Sequence, residues 1–182
     1  MKRDASTSAE YGFTSRSLHW VLFGLLAAQY IVGSAMPHIK KDTPNEGLVA
    51  WHMSIGAAIL FFVVLRLAWR ATHPVPLLTT IPVWQQHLAR FTHIMLYVLI
   101  IAMTLLGFAS SGYLGYTVNL FGIVPLPAIA PKGAAWGHTA GDIHDILLYV
   151  LLGFIALHIA GAMYHYFVAR DRVLQRMLPA AP

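Results

Sequence analysis

Residues 143–167 read IHDILLYVLLGFIALHIAGAMYHYF, a run long and apolar enough to cross a bilayer as a helix, yet carrying three histidines, His144, His158 and His165. A helix advances about 1.5 Å and about 100° per residue, so the step from His144 to His158 leaves the two rings on nearly one face and roughly 21 Å apart. That is two levels of one membrane. An imidazole in hydrocarbon needs a partner, because an unsatisfied polar group is costly there, and intramembrane ionisable side chains are functional candidates by default. Two histidines at two depths point to two metal centres.

The composition puts the whole chain in the same setting. Of its 182 residues 58% are hydrophobic and only 10% are charged, far from the balance of a water-soluble domain, so one integral membrane domain over residues 1–182 is expected. Cysteine is absent, which excludes disulfides, thiolate-bound zinc, iron–sulfur clusters and covalent haem attachment through a C-x-x-C-H motif. Ten histidines against seven acids favour imidazole over carboxylate ligation. The net charge of +5 sits mostly at the ends of the apolar runs, where it orients a protein in the membrane rather than binding nucleic acid.

Four spans are expected, at about 18–36, 48–69, 91–110 and 142–166. Pro37 ends the first, whose only strongly polar interior side chain is Gln29. The third helix should begin near Val83 and be broken by Gly112 and Gly115, and the Gly- and Pro-rich connection 113–138 should lie on the membrane surface with one short helix around 118–123. Lys2, Arg3, Arg16, Arg66, Arg70, Arg90, Arg170, Arg172 and Arg176 fall on one side, and Lys40, Lys41 and Lys132 on the other. The first side, with both termini, is therefore assigned to the cytoplasm.

Sorted by depth, His19 lies level with His158, and His52 with His144. Each pair is placed to hold one haem iron from its two faces. Gly56, one turn after His52, and Gly161, one turn after His158, would let a flat macrocycle approach the backbone, although small residues serve ordinary helix packing in membranes equally well. Arg16, Arg66 and Arg70 are candidate partners for propionates at the inner pair, and the three lysines at the outer one, with snorkelling and topology as the competing explanation. Other roles for the histidines stay open: a hydrogen-bonded structural ring, zinc, which usually gathers four ligands, or a proton path, which usually shows buried acids. Asp142 and Asp145 are expected at the N-terminus of the last helix, complementing its dipole.

Several short pieces together resemble one family. SLHW opens the first span, WHMSIG opens the second and RLAWR closes it, FTHIMLYVLI lies in the third, and IHDILLYVLLGFIALH followed by HYF fills the fourth. Over nearly the whole chain they are similar to the bacterial cytochrome b561 family, small four-helix dihaem b proteins of the inner membrane. The resemblance implies an all-α, four-transmembrane-helix bundle holding two non-covalent b haems, with His19, His52, His144 and His158 as axial ligands.

It also implies electron transfer. One branch, the superoxide oxidases, passes electrons from superoxide to ubiquinone, whereas related haem subunits anchor hydrogenases and other dehydrogenases. A superoxide:ubiquinone oxidoreductase is therefore the expected function, a haem b anchor for a partner subunit is the alternative, and a haem-free transporter is a third. Lys40, Lys41 and Lys132 would attract superoxide at the outer face. Quinone reduction takes two protons as well as two electrons and calls for polar side chains beside an apolar pocket. His93, Arg90 and His165, at the inner ends of the third and fourth helices, are the candidates.

Overall fold

The computed structural model describes residues 11–40, 43–74 and 81–178. Four helices make its framework: α1 (Phe13–Ala35), α2 (Gly47–Thr72), α3 (Val83–Leu114) and α4 (Ala135–Tyr164). Each is long and apolar enough to cross a membrane, and each contains one of the expected spans almost entirely. The chain is thus a multi-pass membrane protein.

The helix ends follow from local chemistry. α1 stops before Pro37, with the Met36 N–H closing on the Val32 carbonyl at 2.9 Å. α3 ends in a Schellman motif at Gly115, whose φ of 79° suits glycine: the Gly115 N–H bonds the Gly112 carbonyl, and the Tyr116 N–H bonds that of Ser111, both at 2.9 Å. Gly112, expected to break this helix, lies inside it. A Cβ there would collide with the Ala130 backbone, so this glycine serves close packing rather than termination.

The connection after α3 also departs from expectation. In place of a short helix around 118–123, β1 (Val118–Leu120) and β2 (Val124–Leu126) pair antiparallel, with Val118 opposite Leu126 and Leu120 opposite Val124. Phe121 and Gly122 take φ of 50° and 74°, the left-handed pair of a type I′ turn, and the Ile123 N–H closes it on the Leu120 carbonyl at 3.0 Å. This hairpin is fastened to α2. Ser54 Oγ accepts the Phe121 N–H at 3.3 Å and lies 2.7 Å from the Asn119 carbonyl and 2.9 Å from that of Ala50, which compete for its proton. Asn45 Nδ2 donates to the Thr117 carbonyl at 2.9 Å, and the Tyr116 hydroxyl donates to that of Thr43.

α4 begins at Ala135, so Asp142 and Asp145 stand well inside it and no acid occupies its first turn. The expected dipole role therefore fails. Asp142 instead meets His138, one turn earlier, at 3.2 Å on the exposed surface. At its other end α4 widens into a π-helical turn, His165–Ala169, after which Arg170 takes φ 52° and the chain doubles back. The returning tail is tied to α1 by Trp20 Nε1, which donates to the Met177 carbonyl at 2.9 Å, and by Arg16 Nη1, which donates to that of Leu178 at 3.1 Å.

The core runs down the bundle as Leu22, Ile55, Ile59, Val63, Leu99, Ile100 and Leu151. α2 packs against α1 and α3, and α3 packs most extensively on α4. Ala109, Gly112, Gly137 and Ala140 let the α3 and α4 backbones approach at the hairpin end. α1 and α4, by contrast, meet sparsely. Large apolar side chains such as Phe61 and Tyr149 point outward, as a lipid-facing surface requires.

Candidate functional site

Two pairs of histidines face one another across the bundle. At the tail end, His19 of α1 and His158 of α4 have ring centroids 6.1 Å apart; at the hairpin end, His52 of α2 and His144 of α4 are 6.2 Å apart. The ring planes cross at 63° and 78°. An imidazole bound through one nitrogen at about 2 Å holds its ring centre about 3 Å from the metal, so two on opposite sides of one metal stand about 6 Å apart. Both pairs fit that spacing. Among the described residues no group of three or more His, Cys, Asp or Glu side chains is arranged to hold a metal ion, so the four-ligand zinc alternative finds no support in the geometry.

The hairpin-end pair is enclosed by all four helices. His144 Nδ1 lies 2.8 Å from the Met103 carbonyl; a carbonyl only accepts, so Nδ1 carries the hydrogen and Nε2 of the neutral ring keeps a free lone pair. Gln29 Nε2 lies 3.2 Å from His52 Nε2, while Gln29 Oε1 and His52 Nδ1 are buried without a partner. Whichever way the Gln29 amide is turned, one nitrogen of His52 remains unsatisfied. A metal satisfies such a nitrogen. Room for the two rings comes from glycines on the helices opposite. A Cβ at Gly33 of α1 would stand 3.3 Å from the His52 ring, and one at Gly107 of α3 would stand 3.1 Å from that of His144.

Neither Gly33 nor Gly107 was among the candidates read from sequence. The signal available was a glycine inside a long apolar helix, which identifies a close approach without naming what approaches. Gly56, which was a candidate, faces Gln29 Nε2 at 3.5 Å from its added Cβ, whereas a Cβ at Gly161 would meet open space.

The tail-end pair has a third ring beside it. His93 of α3 stands 5.1 Å from His158, centroid to centroid. Arg66 of α2 reaches the site from the side: Nη1 donates to the Tyr97 hydroxyl at 2.8 Å, and Nη2 approaches His19 Nδ1 at 3.4 Å. In that contact His19 Nδ1 accepts and the neutral ring carries its hydrogen on Nε2. Ligation through Nε2 requires the other tautomer, with this guanidinium N–H turned to another acceptor.

The remaining candidates spread out. Arg16 is engaged with the tail rather than with either histidine pair, and Arg70 and Arg90 are exposed. His165 lies beyond the pair at the start of the π-helical turn, its Nδ1 held by Asp171 Oδ2 at 2.5 Å. Asp171 was not read from sequence, since nothing in the helical pattern brings it back to His165. Lys40 and Lys132 are exposed at the hairpin end, and Lys41 lies outside the described residues.

The chain matches the model of a family described as prokaryotic cytochrome b561 over residues 10–180. It is 27% identical over 175 residues to cytochrome b561 homolog 2 of Escherichia coli (strain K12), covering 95% of this chain and 93% of that protein. It is 29% identical over 175 residues to a probable superoxide oxidase, CybB, of Yersinia pestis, covering 93% and 96%. Cytochrome b562 of Cereibacter sphaeroides is 25% identical over 167 residues, covering 89% and 90%.

Proposed function

Because the chain belongs to the prokaryotic cytochrome b561 family, and so is a membrane electron-transfer protein that binds b-type haem, we propose that it holds two haems and carries electrons from superoxide to ubiquinone. One haem is held by His19 and His158, the other by His52 and His144. The observation that carries this reading is the pair of 6 Å histidine gaps at opposite ends of one bundle, 6.1 and 6.2 Å between centroids. The name of the Yersinia relative, a probable superoxide oxidase, supports the choice of donor.

Held by these histidine pairs, the haems would supply reversible one-electron transfer. The protein's own residues do the rest. Gln29 and the Met103 carbonyl fix the His52 and His144 rings, and Gly33 and Gly107 leave space for them. Arg66 is the guanidinium nearest the tail-end pair and is the one we assign to a propionate there. The tail end faces the cytoplasm, since Arg16, Arg66, Arg70, Arg90, Arg170, Arg172 and Arg176 gather toward it, against Lys40 and Lys132 at the hairpin end. Quinone is reduced at the tail end, with His93, Arg90 and His165 as the polar groups that meet its head.

Haem counting tests the ligand assignment. Purified wild-type protein should carry two b haems per chain, H52A and H158A one each, and H52A/H158A none. A single variant that keeps both haems, or loses both while folded, overturns the assignment. Rapid mixing should then show reduction of the wild-type haem by superoxide and reoxidation by ubiquinone. Haem that is reduced only in the presence of a copurified partner would favour the anchor-subunit function instead.

A further inference from the structure

We infer that Asp171 is a positioning residue that aims His165 for proton delivery to the quinone, an inference that rests on the quinone reading above. A carboxylate oxygen 2.5 Å from His165 Nδ1 keeps the hydrogen of the neutral ring on that nitrogen and leaves Nε2 as the one that can take up and hand on a proton. The carboxylate is itself fixed. Its Oδ1 accepts the Val173 N–H at 3.0 Å, and the Asp171 N–H bonds back to the His165 carbonyl at 3.2 Å.

The backbone departs from regular helix to make this pair. Side chains six positions apart in a continuing α-helix point about 120° away from one another, so Asp171 could not reach His165 there. The π-helical turn His165–Ala169 and the left-handed Arg170, φ 52°, bring it round. Such turns recur at functional sites. Asp171 is the single carboxylate among the described residues at this end and lies between Arg170 and Arg172 in the chain, yet the side chain it contacts is the imidazole.

The chemistry balances. Two superoxide anions each give up one electron and leave as dioxygen, and the quinone takes both electrons with two protons to become quinol. For each proton the His165 Nε2–H bond breaks and an O–H bond forms on a quinone carbonyl oxygen, leaving a neutral ring with its hydrogen on Nδ1 against Asp171. Water on the tail side then reprotonates Nε2. The positive ring formed in that step is stabilised by the carboxylate, as in other imidazole–carboxylate pairs.

The test uses the haem-loaded protein in lipid nanodiscs, with superoxide as reductant and a short-chain ubiquinone as oxidant. In D171N, haem content and reduction by superoxide should match wild type, while reoxidation by ubiquinone slows by about tenfold or more. D171E should restore most of the rate. W20F, which removes one of the two bonds from α1 to the tail without touching Asp171, should stay near wild type. D171N at the wild-type rate, D171E no faster than D171N, or W20F as slow as D171N each overturns the inference alone. Wild-type haem that superoxide reduces and ubiquinone leaves reduced overturns the quinone reading together with it. Should D171N lose its haem, the wild-type protein decides: reoxidation with no solvent deuterium isotope effect overturns the inference, and a clear effect supports it.

Discussion

An alanine at Gly107 would set a methyl group 3.1 Å from the His144 ring, tighter than ordinary van der Waals contact, and the ring is already tethered to the same helix one turn earlier by the Met103 carbonyl. Overpacking of this kind costs about 1–3 kcal/mol. G107A should therefore lose haem selectively from the hairpin-end site, seen as a drop toward one haem per chain. At this scale the four histidines were legible because helical periodicity fixes depth, and depth alone sorts His19 with His158 and His52 with His144. Gly107, Gly33 and the Arg66–Tyr97 bond were not, since each is a meeting between helices whose rotation the sequence does not state. Gln29 stood out as the polar residue of the first span, but its partner did not.

Among the elements, the hairpin is the clearest case of structure set by tertiary contact. Its strands are three residues each, too short to persist alone, and α2 supplies what they lack through Ser54. S54A removes an acceptor for the Phe121 N–H and a donor to the Asn119 carbonyl, at a cost of about 1–3 kcal/mol in local stability. Faster amide hydrogen exchange over 117–124 with unchanged exchange in α3 is the expected signature; equal exchange in the two proteins would show the hairpin to be held by its turn. From sequence this stretch reads as a short helix around 118–123, and the Phe121–Gly122 turn was missed because Phe is a rare occupant of a left-handed position. The helices themselves were legible to within a few residues where proline or glycine stops them. The start of α4 was not, because residues 135–141 look like loop until they pack on Ala109 and Tyr113.

For the whole molecule, the two ends differ in charge as well as in architecture. The proposed superoxide side carries Lys40 and Lys132, both exposed. Replacing both with glutamine should slow haem reduction by superoxide several-fold at low salt and flatten its dependence on ionic strength, because long-range attraction of an anion is screened over roughly 10 Å at about 0.1 M salt. Unchanged rate and salt slope would remove the lysines from the mechanism. The sparse meeting of α1 with α4 has a further consequence, for biogenesis. Each proposed haem would bridge α4 to a helix that it touches little by itself or only through ring neighbours, His19 on α1 and His52 on α2. Cofactor affinity then becomes conformational stability, so a newly inserted chain short of haem would gape along the α1–α4 seam within the bilayer. Cellular abundance of the protein would follow porphyrin supply, through proteolysis of the unfilled chain, without any change in its synthesis.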